Sequence, residues 1–90
     1  METRHVCIRV FGRVQGVAFR HYTRQKALSL GLTGFVKNLA DGSVYIEASG
    51  GREAIALFTD WCRQGPPAAR VQHLRSEEIQ SPGLDHFSIR

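Results

Sequence analysis

Two stretches of this 90-residue chain hold residues whose types and spacing suit phosphate chemistry. The first is Gly12-Arg13-Val14-Gln15-Gly16-Val17-Ala18-Phe19-Arg20. A glycine-containing loop that leads from a strand into a helix offers several backbone N–H groups on a concave surface, at the positive end of the helix dipole. Gly12 and Gly16 can take backbone conformations closed to other residues. Arg13 and Arg20 flank the loop with fixed positive charge, and arginine's planar fork can grip two phosphate oxygens at once. The second is Asn38, shortly before Asp41-Gly42, whose amide both donates and accepts and so can hold a water molecule. No Lys-Ser/Thr pair follows Gly16, and G-x-G-x-x-G is absent, so neither familiar nucleotide loop is present. On pattern alone the plainer account is the better one: Arg20 a solvated helix-start arginine, Asn38 a strand-end residue preparing a turn.

The elements that would position these residues follow from periodicity. Val6 to Phe11 reads as a strand, with Val6, Ile8 and Val10 on one face and Cys7, Arg9 and Phe11 on the other. A helix starts near Arg20, with Phe19, Thr23, Ala27 and Leu30 at helical spacing and Gly31 as its stop. Leu32 to Leu39 makes a second strand, and Asp41-Gly42 signals a hairpin. Ser43 to Ser49 alternates cleanly, Val44, Ile46 and Ala48 against Ser43, Tyr45 and Glu47, and Gly50-Gly51 is expected to break it. Ala54, Leu57, Phe58 and Trp61 trace the apolar face of a second helix and are expected in the core, as is Phe19. Gly65-Pro66-Pro67 ends that helix. Ala69 to Glu77 is a fourth strand, and after Ser81-Pro82-Gly83 a short last strand carries Phe87 and Ile89 inward.

The order β-α-β-β-α-β plus a short terminal strand predicts an α+β, ferredoxin-like α/β sandwich. It is a split βαβ: one mostly antiparallel sheet with two helices on one face. In that topology the first two strands are parallel with the third between them. Their C-terminal ends share one edge of the sheet, so the glycine loop and Asn38 are expected to be neighbours. Tyr45 and Glu47 are expected on the solvent side, Asp41 as the turn residue, and His21 on a solvated helix face. For Arg13, solvated charge and phosphate steering stay equally open.

Bulk properties bound the rest. Ninety residues with 42% hydrophobic and 22% charged side chains describe a single domain, residues 1–90, able to fold alone. No apolar run approaches the roughly 20 residues a membrane span needs. Met1 to His5 is polar and leads into a strand, which predicts no signal peptide and leaves the cytoplasm as the compartment. Cys7 and Cys62 form no CxxC and read as two buried free thiols. The four histidines are scattered without ligand spacing, so no metal site is expected. The formal charge of +4 attracts anions of any kind, but the basic residues stand singly rather than in runs.

Three ordered blocks are more specific than any of this. Gly12 to Arg20 resembles the signature loop of the acylphosphatase family. So does Gly34-Phe35-Val36-Lys37-Asn38-Leu39-Ala40-Asp41-Gly42-Ser43-Val44, and so does Phe58 to Val71 with its Trp61, Gly65-Pro66-Pro67 and Ala69-Arg70-Val71. The resemblance runs in register from about Val6 to Ile89. It implies a ferredoxin-like fold and hydrolysis of acyl phosphates to carboxylate and inorganic phosphate, without metal or cofactor. It implies Arg20 and Asn38 as catalytic residues, with the amides of Gln15, Gly16, Val17, Ala18 and Phe19, together with Arg20, binding phosphate. The partners implied are the small-molecule substrate and the phosphate product, with no nucleic acid, no membrane and a monomer by default. Two rivals stay on the page: an RNA-binding sheet, which Gly34-Phe35-Val36 echoes faintly without the paired aromatics, and a non-catalytic small-anion module. Ending at Arg90, directly after the last strand, the chain is expected to be free-standing rather than part of a larger carbamoyl-phosphate-handling protein.

Overall fold

A computed structural model describes residues 3–80 and 83–90. Met1 and Glu2, and the Ser81-Pro82 part of the turn expected before the last strand, lie outside the described residues. The elements run β1 (Thr3–Arg13), α1 (Phe19–Ser29), β2 (Thr33–Asn38), β3 (Val44–Gly51), α2 (Arg52–Gln64), β4 (Arg70–Glu78) and β5 (Phe87–Ile89). One five-stranded sheet has the order β4-β1-β3-β2-β5. Every neighbouring pair is antiparallel except β2 with β5, which is parallel. With both helices packed on it, this is the ferredoxin-like sandwich that the element order predicts.

Alternation along the strands builds the core. Val6, Ile8 and Val10 of β1 and Val44, Ile46 and Ala48 of β3 are all buried, and the register sets Ile8 opposite Ile46 and Val10 opposite Val44. Their neighbours Cys7, Arg9, Phe11, Tyr45 and Glu47 occupy the other face, half-buried. Phe19, Thr23 and Ala27 of α1 close over the apolar face, as the helical spacing requires. The Thr23 hydroxyl, fully buried, donates to the Phe19 carbonyl at 2.7 Å, so its polarity is satisfied within the helix.

The structure departs from the sequence expectations in four places. Gly50 and Gly51 do not break β3; they pair with Arg4 and Thr3 of β1. Gly50 is there because the Leu32 side chain occupies the space that a Cβ would need. The buried face of α2 is Ile55, Phe58 and Cys62, while Leu57 is 53% exposed. At roughly 100° per residue, Ile55, Phe58 and Cys62 fall on one narrow stripe and Leu57 lies well to its side. Trp61 is half-buried and meets the Phe19 ring at 5.8 Å between centroids. Phe87 is buried as expected, but Ile89, on the edge strand β5 and lining an open cleft, is 42% exposed. Of the two free thiols, Cys62 is buried and Cys7 only half so. No helix among the described residues is long and apolar enough to cross a membrane.

Candidate active site

The segment from residue 14 to residue 18 joins β1 to α1. Val14 is buried and anchors its start; Phe19, buried against Trp61, anchors its end. Between these anchors Gly16 has φ +74° and Ala18 has φ +60°, both left-handed. The loop therefore curls instead of continuing the strand. Ala18 holds this conformation without glycine's freedom, at a cost of about 1–2 kcal/mol, so the anchors on either side must enforce it.

Helix α1 begins directly after this curl. Its N-terminus has no side-chain cap and no acidic residue in its first turn. First-turn N–H groups have no intrahelical acceptor, and among the described residues none of the amides of Gly16, Val17, Ala18 and Phe19 donates to another backbone carbonyl. Open donors, the positive end of the dipole and the Arg20 guanidinium all favour an anion at this point.

Asn38 closes β2. Because β3 lies between β1 and β2 and is antiparallel to both, β1 and β2 run parallel, and their C-terminal ends meet at one sheet edge. A cleft of about 180 Å³ opens there. Gly16, Ala18, Phe19, Arg20 and Asn38 line it, with Val14, His21 and Ile89 completing the walls. This is smaller than the roughly 300 Å³ at which drug-sized sites begin. It suits a head group whose remainder stays outside. The Oδ1 atom of Asn38 is shielded from solvent and has no hydrogen-bond partner in the protein. A buried amide oxygen left this way costs about 1–3 kcal/mol.

The other expected site residues sit as follows. Gln15 and Val17 belong to the same loop but do not line the cleft. The Gln15 side chain turns towards the β2–β3 hairpin, and Val17 packs against the core. Arg13 is exposed and paired with Arg70 at the end of β1, off the cleft. Asp41 is the turn residue expected, and it also binds Arg9 at 2.6 Å. Hydrogen bonds from the Ser43 hydroxyl and amide, followed by the Arg9 charge, hold its carboxyl below the usual range.

Two features of the cleft were not legible in the sequence. Arg20 Nη1 donates to the Arg90 carbonyl at 3.2 Å, and Arg24 Nε donates to the Phe87 carbonyl at 3.0 Å, so α1 ties β5 beside the cleft. Ile89 forms a wall for the same reason. Only the parallel pairing of β5 with β2 brings these residues close, and a three-residue strand carries no sign of where it docks. A larger, open groove of about 890 Å³ lies at the far end of α1, lined mainly by Leu30, Ala54, Ala56 and Leu57. Gly51, Arg52 and Glu53 complete its walls, and neither Arg20 nor Asn38 reaches it.

The family model for acylphosphatase matches residues 6–89. The chain belongs to the acylphosphatase family. An acylphosphatase of Thermotoga maritima is 47% identical over 83 residues, which cover 92% of each chain. The structure of an acylphosphatase from Coxiella burnetii matches with a TM-score of 0.94 at 42% identity, over 98% of this chain and 93% of that one. The crystal structure of acylphosphatase from Bacillus subtilis matches with a TM-score of 0.93 at 37% identity, over 99% of both chains. The chain is thus an acylphosphatase in fold and activity: it hydrolyses acyl phosphates, with a small-molecule substrate and phosphate as product. Nothing in these likenesses points to the RNA-binding or anion-sensing rivals.

Proposed function

We propose that this acylphosphatase works through the cleft at the β1–α1 loop, with Arg20 and the loop amides holding the phosphoryl group and Asn38 holding the attacking water. The observation that carries this reading is that Asn38, on the end of β2, and Arg20, on the start of α1, line the same cleft. Gly16, Ala18 and Phe19, at the open start of α1, line it with them.

The chemistry needs little more. The leaving group is a carboxylate, stable without protonation. The obstacle is water approaching a phosphorus atom screened by negative oxygens. Donors fixed in advance and aimed at those oxygens address it directly. Arg20 spends one of its five N–H donors on the Arg90 carbonyl, leaving the others for phosphate. The loop amides from Gln15 to Phe19 add neutral donors. The Asn38 amide can hydrogen-bond the water and keep its oxygen in line with the departing carboxylate. Asparagine is no base, so the water's proton passes to a phosphoryl oxygen. The P–O bond to the acyl group breaks as the new P–O bond forms, giving carboxylate and inorganic phosphate. No step calls for a metal.

The test is hydrolysis of benzoyl phosphate in the presence of a chelator by the wild type, Arg20→Gln and Asn38→Ala. Losing one donor to developing charge typically costs on the order of 10²–10³ in turnover. We expect at least that for Arg20→Gln, with weaker substrate binding as well. For Asn38→Ala we expect lost turnover while inorganic phosphate still inhibits competitively. Near-normal turnover by Asn38→Ala would remove its water-holding role, and chelator-sensitive turnover would remove the metal-free mechanism.

A further inference from the structure

We propose that Gln15 is a positioning residue: its side-chain amide locks the phosphate loop to the hairpin that carries Asn38 and so sets the alignment of water and phosphorus. This rests on the reading of Asn38 as the group that holds the water.

The side chain of Gln15 leaves the loop sideways. Its Nε2 donates to the Leu39 carbonyl at 2.8 Å and to the Ser43 carbonyl at 2.9 Å. These carbonyls are the two ends of the turn between β2 and β3: Leu39 N donates to Ser43 O at 2.9 Å, and Gly42 N donates to Leu39 O at 3.1 Å. Each carbonyl therefore accepts one hydrogen bond from within the turn and a second from Gln15. A terminal amide, with two N–H bonds in one plane and no charge, is well suited to bridging both. Leu39 directly follows Asn38, so the bridge grips the chain one residue from the proposed water site.

On the other side of the sheet the same turn is braced from β1. Arg9 donates to the Asp41 carboxylate at 2.6 Å and to the Ser43 hydroxyl at 3.1 Å. Asp41 in turn accepts from the Ser43 amide at 2.9 Å and from its hydroxyl at 2.6 Å. That brace shapes the turn, but it does not touch the loop. Among the described residues, the hydrogen bonds joining the loop to the turn are the two from Gln15.

Two half-sites on different chain segments must hold one geometry: the phosphate cradle on the loop, the water on the strand end. Removing the bridge leaves the cradle's own donors in place but frees the strand end to shift against them. The loss should then fall on kcat and not on phosphate affinity, since a misplacement of about 1 Å can cost on the order of 10²-fold.

The experiment is a double-mutant cycle between Gln15→Met, which keeps the side-chain length and deletes both donors, and Asn38→Ala. Turnover of benzoyl phosphate and competitive inhibition by inorganic phosphate are measured in every variant. We expect Gln15→Met to lower kcat between about tenfold and a hundredfold, with phosphate inhibition unchanged to within about twofold. Introduced into Asn38→Ala, the same substitution should cost nothing further. A full additional loss in that background, a loss confined to phosphate inhibition, or an unchanged kcat in the wild-type background would each overturn the proposal. If Asn38→Ala alone kept its turnover, the water-holding reading would fail first and this proposal with it. Should Gln15→Met not fold, Gln15→Glu takes its place in the same cycle: its carboxylate has a similar shape and offers the two carbonyls no donor at neutral pH.

Discussion

The chain makes two strand-to-helix junctions, and only one of them places a curled loop beside Arg20 and Asn38. Between β1 and α1 lie residues 14–18, with Gly16 and Ala18 left-handed and no acidic residue in the helix's first turn. Between β3 and α2 there is no intervening residue: Gly51, extended at φ −63° and ψ 151°, is followed at once by Arg52, and Glu53 sits in the first turn. Both junctions have glycine before the helix and an arginine at or near its first residue. At α2 the helix's own carboxylate faces the positive end of the dipole, and the chain has no slack with which to turn amides outward. At α1 the dipole is unanswered and the loop is long enough to curl. A glycine and an arginine at a helix start therefore do not by themselves leave a helix end open to an anion; loop length and an empty first turn do.

Charge removal at the two junctions should separate them most widely. Arg20→Gln is expected to cost turnover on the order of 10²–10³, whereas Arg52→Gln, at the equivalent place on α2, should leave kcat and KM for benzoyl phosphate unchanged. A comparable loss in both would mean that overall positive charge, not the cleft, drives the reaction.

The second helix supports the first junction through its other end. Gly65, the residue after α2, has φ +69°, and a Cβ there would lie 2.7 Å from the Phe19 ring. Gly65→Ala should destabilise the fold by about 1–3 kcal/mol, read as a lower urea midpoint. Since Phe19 anchors the loop, phosphate inhibition should weaken as well. Unchanged stability would show that Phe19 can move aside freely.

Making the first junction resemble the second should have a milder effect. His21→Glu places a carboxylate in the first turn of α1, as Glu53 is placed in α2. Weaker competitive inhibition by phosphate is expected, by about 0.3–1 kcal/mol, with the deficit shrinking as salt is raised. Tighter inhibition would contradict the account of the open helix end.

The smallest effect concerns the turn beside Asn38. Asp41 titrates below its ordinary value because Ser43 and Arg9 favour its charged form. Its stabilising contribution is therefore present above the ordinary carboxylate range and fades as pH falls through the lowered folded value. Asp41→Asn should melt slightly earlier than the wild type at pH 7, and the gap should narrow in strong acid.

Much of this was readable in advance. The alternation of Val6, Ile8 and Val10 and of Val44, Ile46 and Ala48 assigns strand faces because side chains on a strand alternate strictly, whatever lies nearby. The first two family-like blocks marked Arg20 and Asn38, and the strand order of a split βαβ placed them at one edge. The misreadings share a cause. Leu57 falls at helical spacing with Ala54, Phe58 and Trp61, yet which side of a helix is buried depends on the orientation in which the sheet receives it. Gly50 looked like a breaker, since nothing local reveals that Leu32 would fill the space above it.

By itself, then, the sequence determined the kinds and order of the elements and the family-like motifs that point to Arg20 and Asn38. Those rest on periodicity and on short contiguous motifs, which are properties of neighbouring residues. Tertiary structure alone decided that Arg20 leans on β5, that the Gln15 side chain spans to Leu39 and Ser43, and that Asn38 keeps a shielded oxygen without a protein partner. Each is a contact between segments far apart in the chain, with a distance set by sheet register and helix packing, and no local pattern records such a distance.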